Sequence, residues 1–127
     1  MSACLTVRGR TFAIRLPALD VREDLVITHG SLQRRHNSPI PMRRLSAAMV
    51  ALCCPEVGHD IKVSVSARDD LLAFGGEVYN ALRDRQWTPE EIRGAGEDIL
   101  PELVEQTFPR KSEVVKAQGN SDGGAAS

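Results

Sequence analysis

LTVRGRTFAIRLP, residues 5–17, is the stretch on which the fold class turns. Apolar and polar side chains alternate on both sides of one glycine, the period-two pattern of a half-buried strand pair. With Gly9-Arg10 as a two-residue turn, Val7 faces Phe12 and Leu5 faces Ile14. These four share one face, and Thr6, Arg8, Thr11 and Arg15 share the other with Ala13. Glycine at the first turn position suits a type II′ turn, whose twist matches the strands. An isolated hairpin is marginal in water, so it needs a third strand or a covering helix. HDIKVSVS, residues 59–66, offers a third short strand near 60–66, with Ile61, Val63 and Val65 alternating with polar residues.

The rest of the chain carries helical spacing. Asp20 and Glu23 resemble a capping box, and Val21, Leu25, Thr28 and Leu32 follow on one stripe. Arg34, Arg35 and His36 close this helix, where positive charge is favourable. NSPIP, residues 37–41, breaks the chain, and a second helix from about Pro41 aligns Met42, Leu45, Met49, Leu52 and Cys53. It should stop at Cys54-Pro55, because a residue before proline avoids the helical region. A third helix over about 67–86 aligns Leu71, Phe74, Gly75, Val78 and Leu82. The Gly75-Gly76 pair costs roughly 1–2 kcal/mol of helix propensity, so a close neighbouring backbone or a bend is expected there.

WTPEEI, residues 87–92, is a helix start: Thr88 as N-cap, Pro89 at the first position, Glu91 closing the capping box, and Trp87 able to staple onto Ile92. Ala95, Ile99, Leu103 and Thr107 continue the stripe, and Pro101 predicts a kink or a fresh start. A short last helix over 110–118 should precede GNSDGGAAS, residues 119–127, a flexible tail. The expected fold is therefore α+β: an N-terminal hairpin packed on four to five helices, in one domain over 1–118.

Composition fits such a domain. The chain has 127 residues, 42% apolar and 26% charged, with only five aromatic rings, so its core must be aliphatic. No apolar run approaches the ~20 residues that span a membrane, and MSACLTVRGR lacks a signal peptide's long apolar region. Three cysteines do not form a secreted disulfide framework, so a reducing cytoplasm is the expected compartment. Charge is uneven. Residues 1–44 hold eight Arg against three acids, +5, and residues 45–127 hold eight basic residues against fourteen acids, −6. Such polarity suits self-association or a charged partner as well as an ordinary solvated surface.

Cys53, Cys54 and His59 are the first candidates for chemistry. Adjacent cysteines on a helix diverge by about 100°, a poor chelate for a tetrahedral metal that wants Cys-x2–4-Cys spacing. Cys53 lies on the apolar stripe, where free cysteine packs as a small hydrophobe. The acids of the C-terminal half sit at helix starts or on outer faces, and GGEVYNAL and RGAGEDI lie inside helical patterns rather than in a phosphate loop. No catalytic residue, cofactor or metal ligand is assigned on this reading. Arg34, Arg35, His36, Arg43 and Arg44 flank the proline loop and form a candidate basic patch for phosphates or an acidic protein. No recognition helix and no aromatic platform for bases accompanies them.

The order of hairpin, basic helix, small-residue helix and acidic helical C-terminal half resembles the small tail assembly chaperones of long-tailed bacteriophages. LTVRGRTFAIRLPALDVREDL and LAFGGEVYNALRDRQWTPEEIRGAGEDILPEL carry the likeness, which spans about residues 4–118 and involves no invariant motif. The resemblance implies a non-enzymatic protein of the host cytoplasm that binds the helical tape-measure protein and associates with copies of itself. A chaperone for a helical client needs an apolar groove with charges around it. Met42 and Met49 are candidates to line that groove, and Tyr79 and Trp87 are candidates for a partner surface.

Overall fold

A computed structural model describes residues 3–35 and 39–108, with the backbone alone at Arg35. Two strands, β1 (Cys4–Val7) and β2 (Arg10–Ala13), precede helices α1 (Leu19–Arg35), α2 (Pro39–Cys53), α3 (Pro55–Gly58), α4 (Leu71–Asp84) and α5 (Pro89–Thr107). The fold is α+β, as the alternating start and helical remainder imply. The helix expected over 110–118, the tail of 119–127 and His36 lie outside the described residues.

The hairpin turns one residue earlier than its glycine suggests. Arg8 and Gly9, not Gly9 and Arg10, are the turn, and both have positive φ (56° and 80°), the signature of type I′. Leu5 therefore pairs with Phe12 and Val7 with Arg10. The correction moves each partner by two residues, so the faces are preserved and Leu5, Val7 and Phe12 are all buried. Arginine in the left-handed region costs about 1 kcal/mol or more, and its side chain is what offsets this. Arg8 Nε lies 2.8 Å from Glu91 Oε2, and its guanidinium also donates to the Gln86 carbonyl. Arg10, released from the turn, sits 4.9 Å over the Phe12 ring.

The third strand near 60–66 does not form; the sheet has two strands. Ile61 and Val63 still turn inward against the core, as the alternation implies. The segment is instead tied to α4: Glu77 accepts from Ser64 N–H at 2.8 Å and from its hydroxyl at 2.6 Å. The Ser64 N–H thereby finds its acceptor on a side chain rather than on a neighbouring strand.

Helix boundaries shift for physical reasons. Asp20 is not the cap of α1 but lies in its first turn, bonded by Arg68 at 2.9 and 3.2 Å. Arg68 holds its carboxyl below the usual range. α2 begins at Pro39 rather than Pro41, since a first helical turn accepts proline. α4 begins at Leu71, because Asp70 caps it by accepting from Ala73 N–H. The capping box at Thr88 and Glu91 is present on both sides. α5 continues through Pro101 without the expected fresh start. Pro101 is exposed, so its ring does not intrude on the core.

α2 is the centre of the molecule and packs against α1, α3, α4 and α5. Residues Leu45 to Val50 are buried without interruption, where the stripe reading placed only one face inside. Two glycines let the outer helices approach. A methyl group at Gly75 of α4 would overlap the Arg44 carbonyl, and one at Gly96 of α5 would lie 2.7 Å from the Ser46 side chain. The close approach expected at Gly75 is thus present, and its neighbour across α2 is Ala48.

Candidate functional site

The two methionines offered as groove residues do come together. Met42 and Met49, two turns apart on α2, line a cleft that α1 and α5 complete. His29 and Gln33 enter from α1, Ser46 from α2, and Arg93, Gly96 and Glu97 from α5. Its floor is the Ser46–Gly96 contact, where the absence of a side chain on Gly96 lets α5 approach α2. The cleft encloses about 110 Å³, somewhat less than the ~150 Å³ apolar cavity that admits a benzene ring. It has room for one inserted side chain.

Met49 is buried and Met42 half-buried, so flexible thioethers form the wall while polar groups form the rim. Arg93 Nε and Glu97 Oε2 pair at 3.3 Å along α5. Burial lowers the pKa of His29, and the Glu97 carboxylate partly opposes that shift. His29 therefore favours its neutral form, a donor–acceptor ring rather than a cation. Sequence reasoning passed over this histidine. The signal was its place four residues after Leu25, where it interrupts the apolar stripe of α1.

The other candidates lie elsewhere. Tyr79 shares a shallow groove of about 320 Å³ between α2 and α4 with Arg44, Leu72, Gly76 and Asn80. Glu77 lines it too, and its carboxyl is held below its usual range, first by the Ser64 hydroxyl. Trp87 belongs to the hairpin's side of the molecule: 8% exposed, its ring centroid is 6.4 Å from Phe12. It closes a cleft of about 190 Å³ rimmed by Arg10, Glu56, Asp60 and Arg85, the last two paired at 3.4 Å. Of the basic set, Arg34 and Arg44 are exposed and Arg43 is half-buried. Only Arg44 lines one of these three clefts, and the side chain of Arg35 lies outside the description.

Cys53 ends α2 and Cys54 follows it at the start of α3; both are buried, and burial pushes their thiols up to about 12 and about 11. Thiolate is the reactive form, so both are inert in the fold. His59 is exposed and its ring nitrogen lies 3.0 Å from the Pro55 carbonyl. Among the described residues, no group of three or more His, Cys, Asp or Glu side chains is placed to hold a metal ion. A thiol reagent on the native protein is expected to modify Cys4, the exposed cysteine, and to reach Cys53 and Cys54 only after denaturation. Mass-mapped modification of all three at similar rates would contradict this burial.

No helix among the described residues is long and apolar enough to cross a membrane. No family model, no curated protein and no solved structure matches the chain.

Proposed function

We propose that this protein is a non-enzymatic assembly chaperone of the long-tailed phage type. It binds a tape-measure-like helical protein, associates with copies of itself, and works in the host cytoplasm. The observation that carries the reading is the methionine cleft between α1, α2 and α5. A client helix presents one apolar side chain per turn or two, which fits a wall of adaptable thioethers. The Arg93–Glu97 pair beside it is exposed, so it exchanges its internal partner for client charges at small cost. Binding of this kind is shallow and reversible, as holding a client until its tube assembles requires.

Co-expression with a tape-measure fragment tests it. The wild-type chain is expected to co-purify, and Met42→Glu, a charge at the half-buried mouth, to lose the complex while keeping its helical circular dichroism. A complex untouched by that substitution would remove the cleft from the client site. Failure of the wild type to bind at low salt and micromolar concentration would end the chaperone reading.

A second reading has one observation in its favour: Arg44 and Tyr79, a cation and an aromatic ring, line the same groove. That arrangement suits nucleic acid or an acidic protein, but the Glu77 carboxylate in the groove opposes a phosphate. It predicts binding that falls steeply with salt. A mobility shift indifferent to substitution of Arg34, Arg35, Arg43 and Arg44 rules it out.

A further inference from the structure

Ser46 is the one buried polar residue among those described, 5% exposed in the middle of α2. A serine inside a helix commonly turns its hydroxyl back onto the carbonyl four residues earlier. Here no such bond forms. Among the described residues the hydroxyl has no hydrogen-bond partner, and it opens on the methionine cleft. Gly96 of α5 lies against it and offers no side chain in return. A buried hydroxyl without a partner is costly, and a native one calls for an explanation. The second polar group on the wall is His29, half-buried, whose ring also has no hydrogen-bond partner among the described residues. Kept neutral by burial, it presents one donor and one acceptor. The cleft is thus apolar along its sides, at Met42 and Met49, and holds unpaired but uncharged hydrogen-bonding groups inside.

We propose that this cleft takes a carboxamide side chain, glutamine above all, from the client helix. The proposal rests on the chaperone reading and names what that client presents. The two methylenes of a glutamine stem lie along the thioethers, and its amide meets Ser46 and His29. A carboxamide carries an acceptor and two donors, the set that a hydroxyl and a neutral imidazole satisfy. A wholly apolar side chain of the same size would leave both groups unpaired, a loss of roughly tenfold in affinity. Arg93 and Glu97 are exposed at the rim and paired with each other. A charged tip at the buried floor therefore loses its hydration without gaining an ion pair. Glutamine outreaches asparagine by one methylene, which favours it where the hydroxyl lies buried beneath the half-buried Met42.

Side-chain analogues test this: propionamide for glutamine, ethyl methyl sulfide for methionine, propionate for a carboxylate and butylammonium for lysine. Each is titrated into the native protein up to about 0.1 M, the weak range expected of so few atoms. The Met42 and Met49 methyl signals and the Ser46 amide are followed by NMR. Propionamide is expected to give saturable shifts at these residues and to bind most tightly of the four. Ser46→Ala keeps the β-carbon that packs on Gly96, so its circular dichroism should not change. It is expected to lower the ratio of propionamide to sulfide affinity by roughly tenfold. No saturable shift with propionamide, another analogue binding as tightly, or an unchanged ratio in Ser46→Ala overturns the proposal. Should Ser46→Ala fail to fold, the order of the four on the wild type decides alone. The expected order in a protein that ignores the tape-measure fragment sinks the chaperone reading and leaves the cleft's preference standing. A client complex lost on Met42→Glu, beside a different order of analogues, sinks this proposal alone.

Discussion

Gly75→Ala is expected to destabilise the protein by about 3 kcal/mol, a fall in melting temperature of roughly 10 °C or more. In most helices the same change is favourable, since alanine is the better helix former by about 1 kcal/mol. Here the new methyl group would overlap the Arg44 carbonyl, which belongs to the backbone of α2 and cannot rotate aside. Either α4 withdraws and opens its packing against Ala48, or α2 distorts at its buried centre. Two other glycines serve as controls. At Gly76 the methyl would meet only the flexible Arg44 side chain at 3.5 Å or more, and at Gly94 it would meet nothing within 4 Å. Both alanine variants should be neutral or gain up to about 1 kcal/mol. Thermal or urea unfolding of the three proteins checks this, and a stabilised Gly75→Ala would disprove the close approach of α2 and α4.

Val50→Asp separates a one-sided α2 from a central one. On the stripe of Met42, Leu45, Met49, Leu52 and Cys53, Val50 falls to the side and would tolerate a polar residue. In the fold it is fully buried, like Leu45, Ala47 and Ala48. A carboxylate there has no described partner and loses its hydration, a penalty above about 4 kcal/mol. That is a large share of the roughly 5–15 kcal/mol holding a domain of ordinary stability together. Val50→Asp should therefore lack a cooperative unfolding transition at neutral pH. Val104→Asp, at a residue 40% exposed on α5, should stay within about 0.5 kcal/mol of wild type. A folded Val50→Asp protein would mean that α2 has a solvent face.

The contrast between these residues shows what the sequence could and could not reveal. Local chemistry was legible: the Thr88–Glu91 capping box, the stop before Pro55 and the alternation of the hairpin all act within a few residues. Long-range partners were not. The turn register depended on Glu91 and Gln86 holding Arg8, and the missing third strand on Glu77 binding Ser64 instead. α2 looked one-sided because its alanines and Ser46 carry little hydropathy, yet their small size is what allows helices to surround it. Of the cleft, Met42 and Met49 were visible as flexible apolar residues. His29, Arg93 and Glu97 join them only because α1 and α5 flank α2.

The Arg8–Glu91 pair links residues 83 positions apart, and β1 packs on α5. During synthesis the hairpin leaves the ribosome before the helix that covers it, with α1 to α4 made in between. Its left-handed arginine has no stabilising partner until then, and neither strand has a complete apolar cover. The N-terminus must wait, poorly ordered and with an open edge, while α2 and α4 assemble behind it. Docking of the hairpin is therefore a closing step of folding, and a nascent chain halted before residue 91 carries its strands unprotected.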